Sequence, residues 1–240
     1  MGIGAAASRR FAKEGAHLVL LARSKDKLEK LSDELQAVPS CGRVLNFSVD
    51  LGGPVDVLVN NAGLALDAPA IFPSQSIKNI TMMIETNING VLFAAHAALN
   101  QGGMLEAKSG VILNVTSVTG LEAPPFPGET AYHTAKAAQE AFSNSLRNEL
   151  CGTNIKVLVV RPGVVTTNFH EQRVGYDRGM YSQFIDGYEP LVPDDVADAM
   201  AWVLDKPERI AIKALDVVPT PQRSLSVFDR EWSARNENNQ

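Results

Sequence analysis

The stretch that decides the fold is V-D-V-L-V-N-N-A-G, residues 55–63. Its first six residues form an apolar run that is typical of a buried strand, and the N-A-G that follows supplies turn chemistry at its end. Similar apolar runs lie on both sides of it, at residues 17–22, 44–49, 110–115, 155–160 and 214–218. Segments with helical periodicity separate these runs, at residues 5–14, 24–35, 77–100, 129–150 and 193–204. Strands alternating with helices predict βαβ units, so we expect a doubly wound α/β fold with a parallel sheet covered on both faces.

Composition excludes several classes of protein. The 240 residues are 45% hydrophobic and 20% charged, as in an ordinary globular protein, and no repeat or linker divides them. We therefore expect a single domain over residues 1–240, with a polar tail at about 223–240. The net charge is −5, whereas a protein that binds nucleic acid or an anionic membrane usually has an excess of basic residues. No apolar run reaches the roughly 18 residues that span a bilayer. Neither a nucleic acid nor a membrane is expected as a partner.

The cysteine count bears on the compartment. Cys41 and Cys151 are the two cysteines of the chain, which is too few for a disulfide framework and suits a reducing environment. We therefore expect a cytoplasmic protein, and we expect no metal site.

Two short stretches, one before the first predicted helix and one after the first predicted strand, suggest a site for a dinucleotide. Gly2-Ile3-Gly4 precedes a helix, where glycines let the backbone approach a pyrophosphate, although a flexible terminus explains the same residues. Ala22 and Arg23 follow the next strand, where an acid would bind the ribose 2′-hydroxyl of NAD. An arginine there suits the 2′-phosphate of NADP, and the alternative is a solvated surface residue.

A tyrosine and a lysine lie one turn apart on a predicted helix. Tyr132 and Lys136 share one helical face, so the ammonium is expected to favour the phenolate and to make Tyr132 an acid/base near neutral pH. Ser117 follows the strand at 110–115 and either bonds the oxygen that Tyr132 protonates or closes a turn. Asn87, inside an apolar helix, either binds a water or belongs to a proton relay.

With these motifs in view, the chain resembles the classical short-chain dehydrogenase/reductase family from Gly2 to about Gln222. The matching motifs are Gly2-Ile3-Gly4, Asp50, Asn60-Asn61-Ala62-Gly63, Asn87 with Gly90, residues 114–120 with Ser117, Tyr132 with Lys136, and Pro162-Gly163 with Thr167. The stretch V-P-T-P-Q at 218–222 resembles the branch that contains NADP-dependent serine and 3-hydroxy acid dehydrogenases.

The resemblance implies a Rossmann-like oxidoreductase that interconverts an alcohol and a carbonyl compound with NADP. The catalytic residues that it implies are Asn87, Ser117, Tyr132 and Lys136. Asn87 would hold the water that returns a proton to Tyr132 through Lys136. The cofactor-binding residues that it implies are Gly2, Ile3, Gly4, Arg23, Asp50, Asn60, Ala62, Gly63, Tyr132, Lys136, Pro162, Gly163, Val165 and Thr167.

Two departures from the family concern the sheet. Met1 directly precedes Gly2, so the family's central first strand is missing, and only residues 51–54 connect two runs that should be parallel strands. The family's route needs about 14 Å sideways and a strand length back, whereas five Cα steps reach at most roughly 18 Å. We therefore expect an incomplete sheet, in which the strand at 44–49 is lost or displaced while the strand at 55–60 stays.

Two functions follow from these departures. The first is an NADP-dependent oxidoreductase whose sequence is truncated, in which case this form should bind NADPH poorly. The alternative is a non-catalytic, inactive isoform that keeps the oligomer surface.

Two further expectations concern the substrate and the assembly. The segment 168–189 resembles the family's substrate lid, and its aromatic residues either favour an apolar or extended substrate or pack within the lid. The helices at 77–100 and 129–150 carry many small apolar residues, so we expect a homodimer or homotetramer.

Overall fold

The computed structural model describes residues 2–22, 24–46, 54–124 and 127–236. The first half contains α1 (Ile3–Lys13), β1 (Leu18–Leu20), α2 (Lys25–Gln36), β2 (Val44–Asn46), β3 (Val57–Asn60), α3 (Ile77–Ile84), a π-helical turn (Glu85–Asn89), α4 (Gly90–Asn100) and α5 (Met104–Ala107). The second half contains β4 (Ser109–Val115), α6 (Thr130–Glu149), β5 (Asn154–Pro162), α7 (Asn168–Arg173), α8 (Arg178–Ile185), α9 (Pro193–Leu204), β6 (Ala214–Val217) and α10 (Trp232–Asn236).

All strands are parallel, as the alternation of strands and helices predicts. Four of them form one sheet in the order β3-β4-β5-β6, and β1 pairs with β2 in a separate two-stranded sheet. In the larger sheet Val59 lies opposite Leu113, which lies opposite Leu158. Parallel pairing in register brings the carboxyl ends of β3, β4 and β5 to one edge, where ligands bind in sheets of this kind.

The prediction that the strand at 44–49 is lost or displaced is wrong. Val44–Asn46 lies beside Leu18–Leu20 in parallel register, while Val57–Asn60 stays in the larger sheet. β3 begins at Val57, two residues later than its apolar run, and Asn46 is the last described residue of β2, so eleven residue steps separate the two. Such a segment reaches up to about 36 Å, compared with the roughly 18 Å that the longer strands would leave. β1 and β3 do not pair within the described part of the chain, so the strands form two separate sheets.

Alternate residues of the central strands face opposite layers of helices. Leu113 and Leu158 pack under α1 and α9, where Ala6 and Ala7 let α1 approach the sheet closely. Ile112 and Val157 face the other side, against α4 and the end of α6. Because both faces of β4 and β5 are buried, the sequences of these strands are continuous apolar runs.

The segment after β6 packs against α8, which together with α7 forms the helical part of the predicted lid, residues 168–189. Gln222 is buried, and its Oε1 accepts a hydrogen bond from the Val164 backbone N–H at 3.0 Å. The guanidinium of Arg230 donates to the carbonyl oxygens of Phe184 and Asp186, both at 2.8 Å, and so caps the end of α8. Much of the predicted polar tail therefore supports the lid; residues 237–240 lie outside the described residues.

Candidate active site

The floor of the site is formed by the polar residues at the ends of β3 and β4. The Asn60 amide donates to Asn114 Oδ1 at 2.8 Å, and the Asn114 amide donates to the Ser143 hydroxyl on α6 at 2.8 Å. All three side chains are buried. Their hydrogen bonds fix the ends of the two strands relative to the helix that carries Tyr132 and Lys136.

Ser117 lies directly beyond β4 in an extended conformation. Its Oγ accepts a hydrogen bond from the Thr119 backbone N–H at 3.1 Å, so it caps the short 3₁₀ turn at Val118–Gly120. The same hydroxyl donates to the Pro162 carbonyl oxygen at 3.5 Å, and its interaction with the Tyr132 phenol acts to lower the pKa of that phenol. Ser117 therefore closes a turn, and its bond to the oxygen that Tyr132 protonates stays a prediction.

A buried ion pair holds the backbone that precedes Ser117. The Glu140 carboxylate accepts two hydrogen bonds from Arg161, at 2.9 and 2.8 Å, and one from the Thr116 hydroxyl at 2.6 Å. These contacts tie α6 to the ends of β4 and β5, and they satisfy the buried charge of Glu140. The position of Ser117 is therefore fixed from two sides.

Tyr132 and Lys136 are both buried on α6, one turn apart. The Lys136 Nζ lies 5.8 Å from the centroid of the Tyr132 ring. It donates to the Val115 carbonyl oxygen at 3.0 Å and to Gln139 Oε1 at 3.1 Å. A methyl group added to Gly63 would stand 3.6 Å from this Nζ, so the turn after β3 borders the ammonium.

Burial shifts the protonation of both groups. It raises the pKa of the Tyr132 phenol above its usual range, an effect that Glu129 reinforces and that contacts with Ser117 and Arg173 oppose. The expected preference for phenolate is therefore wrong for the protein without ligands, because loss of solvation outweighs the nearby charges. Burial also lowers the pKa of Lys136 to about 8, against the opposing field of Glu140. At neutral pH the pair is a neutral phenol beside an ammonium.

Asn87 lies in the π-helical turn, a widened helical geometry that is frequent at functional sites. Its Oδ1 accepts from the Leu64 backbone N–H at 2.9 Å, and its Nδ2 donates to the Leu64 carbonyl at 2.8 Å. Its own backbone carbonyl accepts a hydrogen bond from the Gln139 side chain. The backbone of Leu64 thus satisfies the Asn87 side chain, and the expected roles of Asn87 in holding a water or in a proton relay stay predictions.

The predicted glycine motif begins α1 beside the turn after β3. Gly2 precedes the helix, and a methyl group added there would meet open space. A methyl group on Gly4 would meet the side-chain amide of Asn61, so α1 and the turn after β3 lie close together, and a larger residue at position 4 would require the Asn61 side chain to move. Ala62 is exposed at the same edge. Arg23 and Asp50, also predicted to bind the cofactor, lie outside the described residues.

The residues after β5 border the site from the other side. A side chain at position 163 would collide with Gln222, which explains the glycine after Pro162. Val165 is buried in the core, so its backbone alone is available to a cofactor. The Thr167 hydroxyl accepts from the Phe169 backbone N–H at 3.3 Å and caps α7.

Arg173 at the end of α7 and Glu129 just before α6 form an ion pair that the sequence did not indicate. Arg173 Nε lies 2.6 Å from Glu129 Oε1, and both side chains are buried near Tyr132. Burial raises the pKa of Glu129, while Arg173 opposes the shift. No local pattern marks this pair, because its members are distant in the sequence. Gln139 was also missed, although its spacing of three residues from Lys136 places both on one helical face.

The lid aromatics pack on one another. Phe169 lies 5.4 Å from the Tyr132 ring, His170 lies 5.5 Å from Phe184, and Phe184 continues to Phe228 at 6.1 Å between centroids. Burial also lowers the pKa of His170 to about 3, so this ring is neutral. The aromatic residues therefore pack within the lid, and because Phe169 also borders Tyr132, an apolar or extended substrate stays a prediction.

The described part of the chain contains neither a candidate metal-binding cluster nor a candidate membrane-spanning helix. No group of three or more histidine, cysteine, aspartate or glutamate side chains there is arranged to hold a metal ion. Among the same residues, no helix has both the length and the apolar character needed to cross a bilayer.

Comparison with known proteins gives consistent results. A sequence model described as short chain dehydrogenase matches residues 1–175. Serine 3-dehydrogenase of Agrobacterium fabrum is 34% identical over 92% of this chain and 91% of its own, and sulfoacetaldehyde reductase 2 of Chromohalobacter salexigens is 34% identical over 96% and 95%. A structure of the closed form of serine dehydrogenase complexed with NADP+ superposes with a TM-score of 0.83, at 29% identity over 95% of both chains.

Proposed function

Because the chain belongs to the short-chain dehydrogenase family and is therefore an oxidoreductase of alcohols and carbonyl compounds, we propose that Ser117, Tyr132 and Lys136 are its catalytic residues. NADP(H) is the proposed hydride carrier. The observation that carries the proposal is that Tyr132 and Lys136 lie buried one turn apart on α6, with the Lys136 ammonium bound to the Val115 carbonyl at the end of β4, two residues before the buried Ser117.

The residues present fit a dinucleotide. No described residue would contact a methyl group at Gly2, so the N-terminus of α1 has room for a pyrophosphate. Val115 and Gln139 take two of the three ammonium protons of Lys136 among the contacts of the described residues, so one proton remains for ribose hydroxyls. Arg23 is proposed to contact the 2′-phosphate. The NADP+ complex of the serine dehydrogenase supports this choice of cofactor.

In the reducing direction, Tyr132 acts as the general acid. Its raised pKa keeps the phenol protonated at neutral pH, so it can give a proton to the carbonyl oxygen of the substrate. The Ser117 hydroxyl donates a hydrogen bond to the same oxygen and orients it. When bound, the nicotinamide supplies the hydride, or accepts it in the reverse reaction.

Lys136 and Asn87 support this proton transfer. The Lys136 ammonium stabilises the negative charge that remains on Tyr132 after the phenol has given up its proton. Asn87 is a positioning residue, since its side chain holds Leu64 beside the site and its carbonyl contacts Gln139.

Replacement of Tyr132 by phenylalanine tests the proposal. Tyr132→Phe removes the acid and little volume, so kcat should fall by about 10² to 10⁴ while the NADPH dissociation constant changes little. Tyr176→Phe is the matched control, because Tyr176 is 64% exposed. L-serine, a short 3-hydroxy acid and sulfoacetaldehyde are suitable first substrates, given the names of the relatives. A Tyr132→Phe variant as active as the control would refute the assignment.

A homodimer or homotetramer is proposed for the assembly. Phe93 on α4 is 68% exposed, and Ala141 on α6 is exposed as well, although Ala95, Ala98 and Ala135 are buried under the sheet. An exposed phenylalanine on a helix of small residues favours a partner helix.

The cytoplasm is proposed as the compartment. Cys41 and Cys151 are both free, as expected in a reducing environment. Fractionation of cells that express the tagged protein would test this assignment, and recovery with the periplasm or the secreted fraction would contradict it.

A further inference from the structure

Gln139 occupies a position that the proposed mechanism does not yet use. It lies on α6, three residues after Lys136, and only 2% of its surface is exposed. Its Oε1 accepts a hydrogen bond from the Lys136 ammonium at 3.1 Å, and its Nε2 donates to the Asn87 carbonyl oxygen at 2.5 Å. A single buried carboxamide thus joins the ammonium to the π-helical turn.

The chemistry of the two partners fixes the orientation of this amide. An ammonium offers only donors and a carbonyl oxygen only accepts, so the amide must turn its oxygen to Lys136 and its nitrogen to Asn87. A glutamate at the same position would set an acceptor against the Asn87 carbonyl. A leucine would satisfy neither group and would leave both buried without this partner.

We propose that Gln139 is a positioning residue of the reaction, whose carboxamide holds the Lys136 ammonium and stands where a bridging water would otherwise connect Lys136 to the Asn87 carbonyl. The inference rests on the proposed function, because it assigns the ammonium a role in catalysis.

The bridge sets both the position and the charge of the ammonium. Together with the Val115 carbonyl, Gln139 directs Nζ toward the turn at Gly63. Burial lowers the pKa of Lys136 to about 8, so the ammonium predominates at pH 7 but a further fall of one to two units would remove much of its charge. A hydrogen bond to a charged group is worth about one to two pKa units, so the loss of the amide should discharge Lys136 at neutral pH.

Two variants separate positioning from simple packing. Gln139→Leu fills most of the volume but provides no hydrogen bond. Gln139→Ala removes more volume and opens a polar space beside Nζ and the Asn87 carbonyl, which is a setting that water occupies. We therefore expect Gln139→Ala to be more active than Gln139→Leu, although a purely structural role predicts the reverse because the larger cavity costs more stability.

The experiment measures kcat against pH for the wild type and both variants, with Gln75→Leu as control. Gln75 is also buried, but it donates to the Gly128 carbonyl. Activity should fall as pH rises through the pKa of Lys136. In Gln139→Leu this alkaline limb should move down by about one to two pH units, and kcat at pH 7 should fall by about twofold to tenfold accordingly. In the Gln75 variant the limb should not move.

A second readout does not depend on activity. Because the folded-state pKa of Lys136 lies below that of the unfolded chain, the free energy of unfolding should begin to rise with pH near 8, and in Gln139→Leu this rise should begin at a lower pH. An inactive wild type would refute the proposed function and leave this measurement as the test of Gln139. An unmoved rise in Gln139→Leu, or unmoved alkaline limbs with Gln139→Ala less active than Gln139→Leu, would overturn the inference.

Discussion

The buried ammonium of Lys136 should destabilise the protein at neutral pH, and Lys136→Met should reveal by how much. Burial lowers the pKa of Lys136 from 10.5 to about 8. The unfolded chain binds more protons than the folded chain between these pH values, so the free energy of unfolding rises with pH across that window. At about 1.4 kcal/mol per pKa unit, the rise amounts to about 3 kcal/mol.

The variant removes this dependence and keeps most of the side-chain volume. Methionine cannot titrate, so the free energy of unfolding of Lys136→Met should lack the rise, even though the Val115 carbonyl and the Gln139 amide lose a donor. The raised pKa of Tyr132 acts on both proteins alike and cancels in the difference.

Urea denaturation followed by circular dichroism at several pH values from about 7.5 to 10.5 measures the effect. The difference in unfolding free energy between variant and wild type should change by about 3 kcal/mol in favour of the wild type as pH rises. Parallel curves for the two proteins would show that the ammonium is not held at a depressed pKa, and the reasoning about its burial would fail.

Three further predictions concern the acid, the cofactor and the assembly. Glu129→Gln removes a charge that raises the pKa of Tyr132 and should move the pH profile of alcohol oxidation to lower pH, whereas Arg173→Met should move it to higher pH; shifts of the same sign would indicate damage to the lid alone. Fluorescence titration should show tighter binding of NADPH than of NADH, and Arg23→Asp should reverse the order; equal affinities in the wild type would contradict the role of Arg23. Light scattering at micromolar concentration should give a dimer or tetramer that Phe93→Glu weakens; a monomeric wild type would refute the oligomer.

The layered fold was predictable because its signals are local. The apolar run at residues 155–160 lies within β5, Asn154–Pro162, and the helical pattern at 193–204 matches α9. Continuous apolar runs require burial on both faces, which only a covered parallel sheet provides. Strand ends were less predictable: residues 55 and 56 belong to the apolar run of β3, yet the strand begins at Val57.

The chemistry of the site was only partly predictable. The spacing of Tyr132 and Lys136 indicates that they share a helical face, but not that burial raises the pKa of the phenol. Desolvation depends on all surrounding elements, so a pair of residues in a sequence does not reveal it. The contact of Glu129 with Arg173 depends on where the lid helix docks, and the bridge through Gln139 depends on the π-helical turn.

We propose that this chain transfers hydride between NADP(H) and a substrate carbonyl, with Tyr132 as the acid. Incubation of the wild type with NADPH deuterated at the transferable position and a carbonyl probe such as sulfoacetaldehyde, followed by mass spectrometry of the alcohol, tests it most directly. The wild type should place one deuterium on the carbinol carbon, and Tyr132→Phe should form the same product at least about a hundredfold more slowly. Alcohol formed without deuterium, or formed equally fast by the variant, would contradict it.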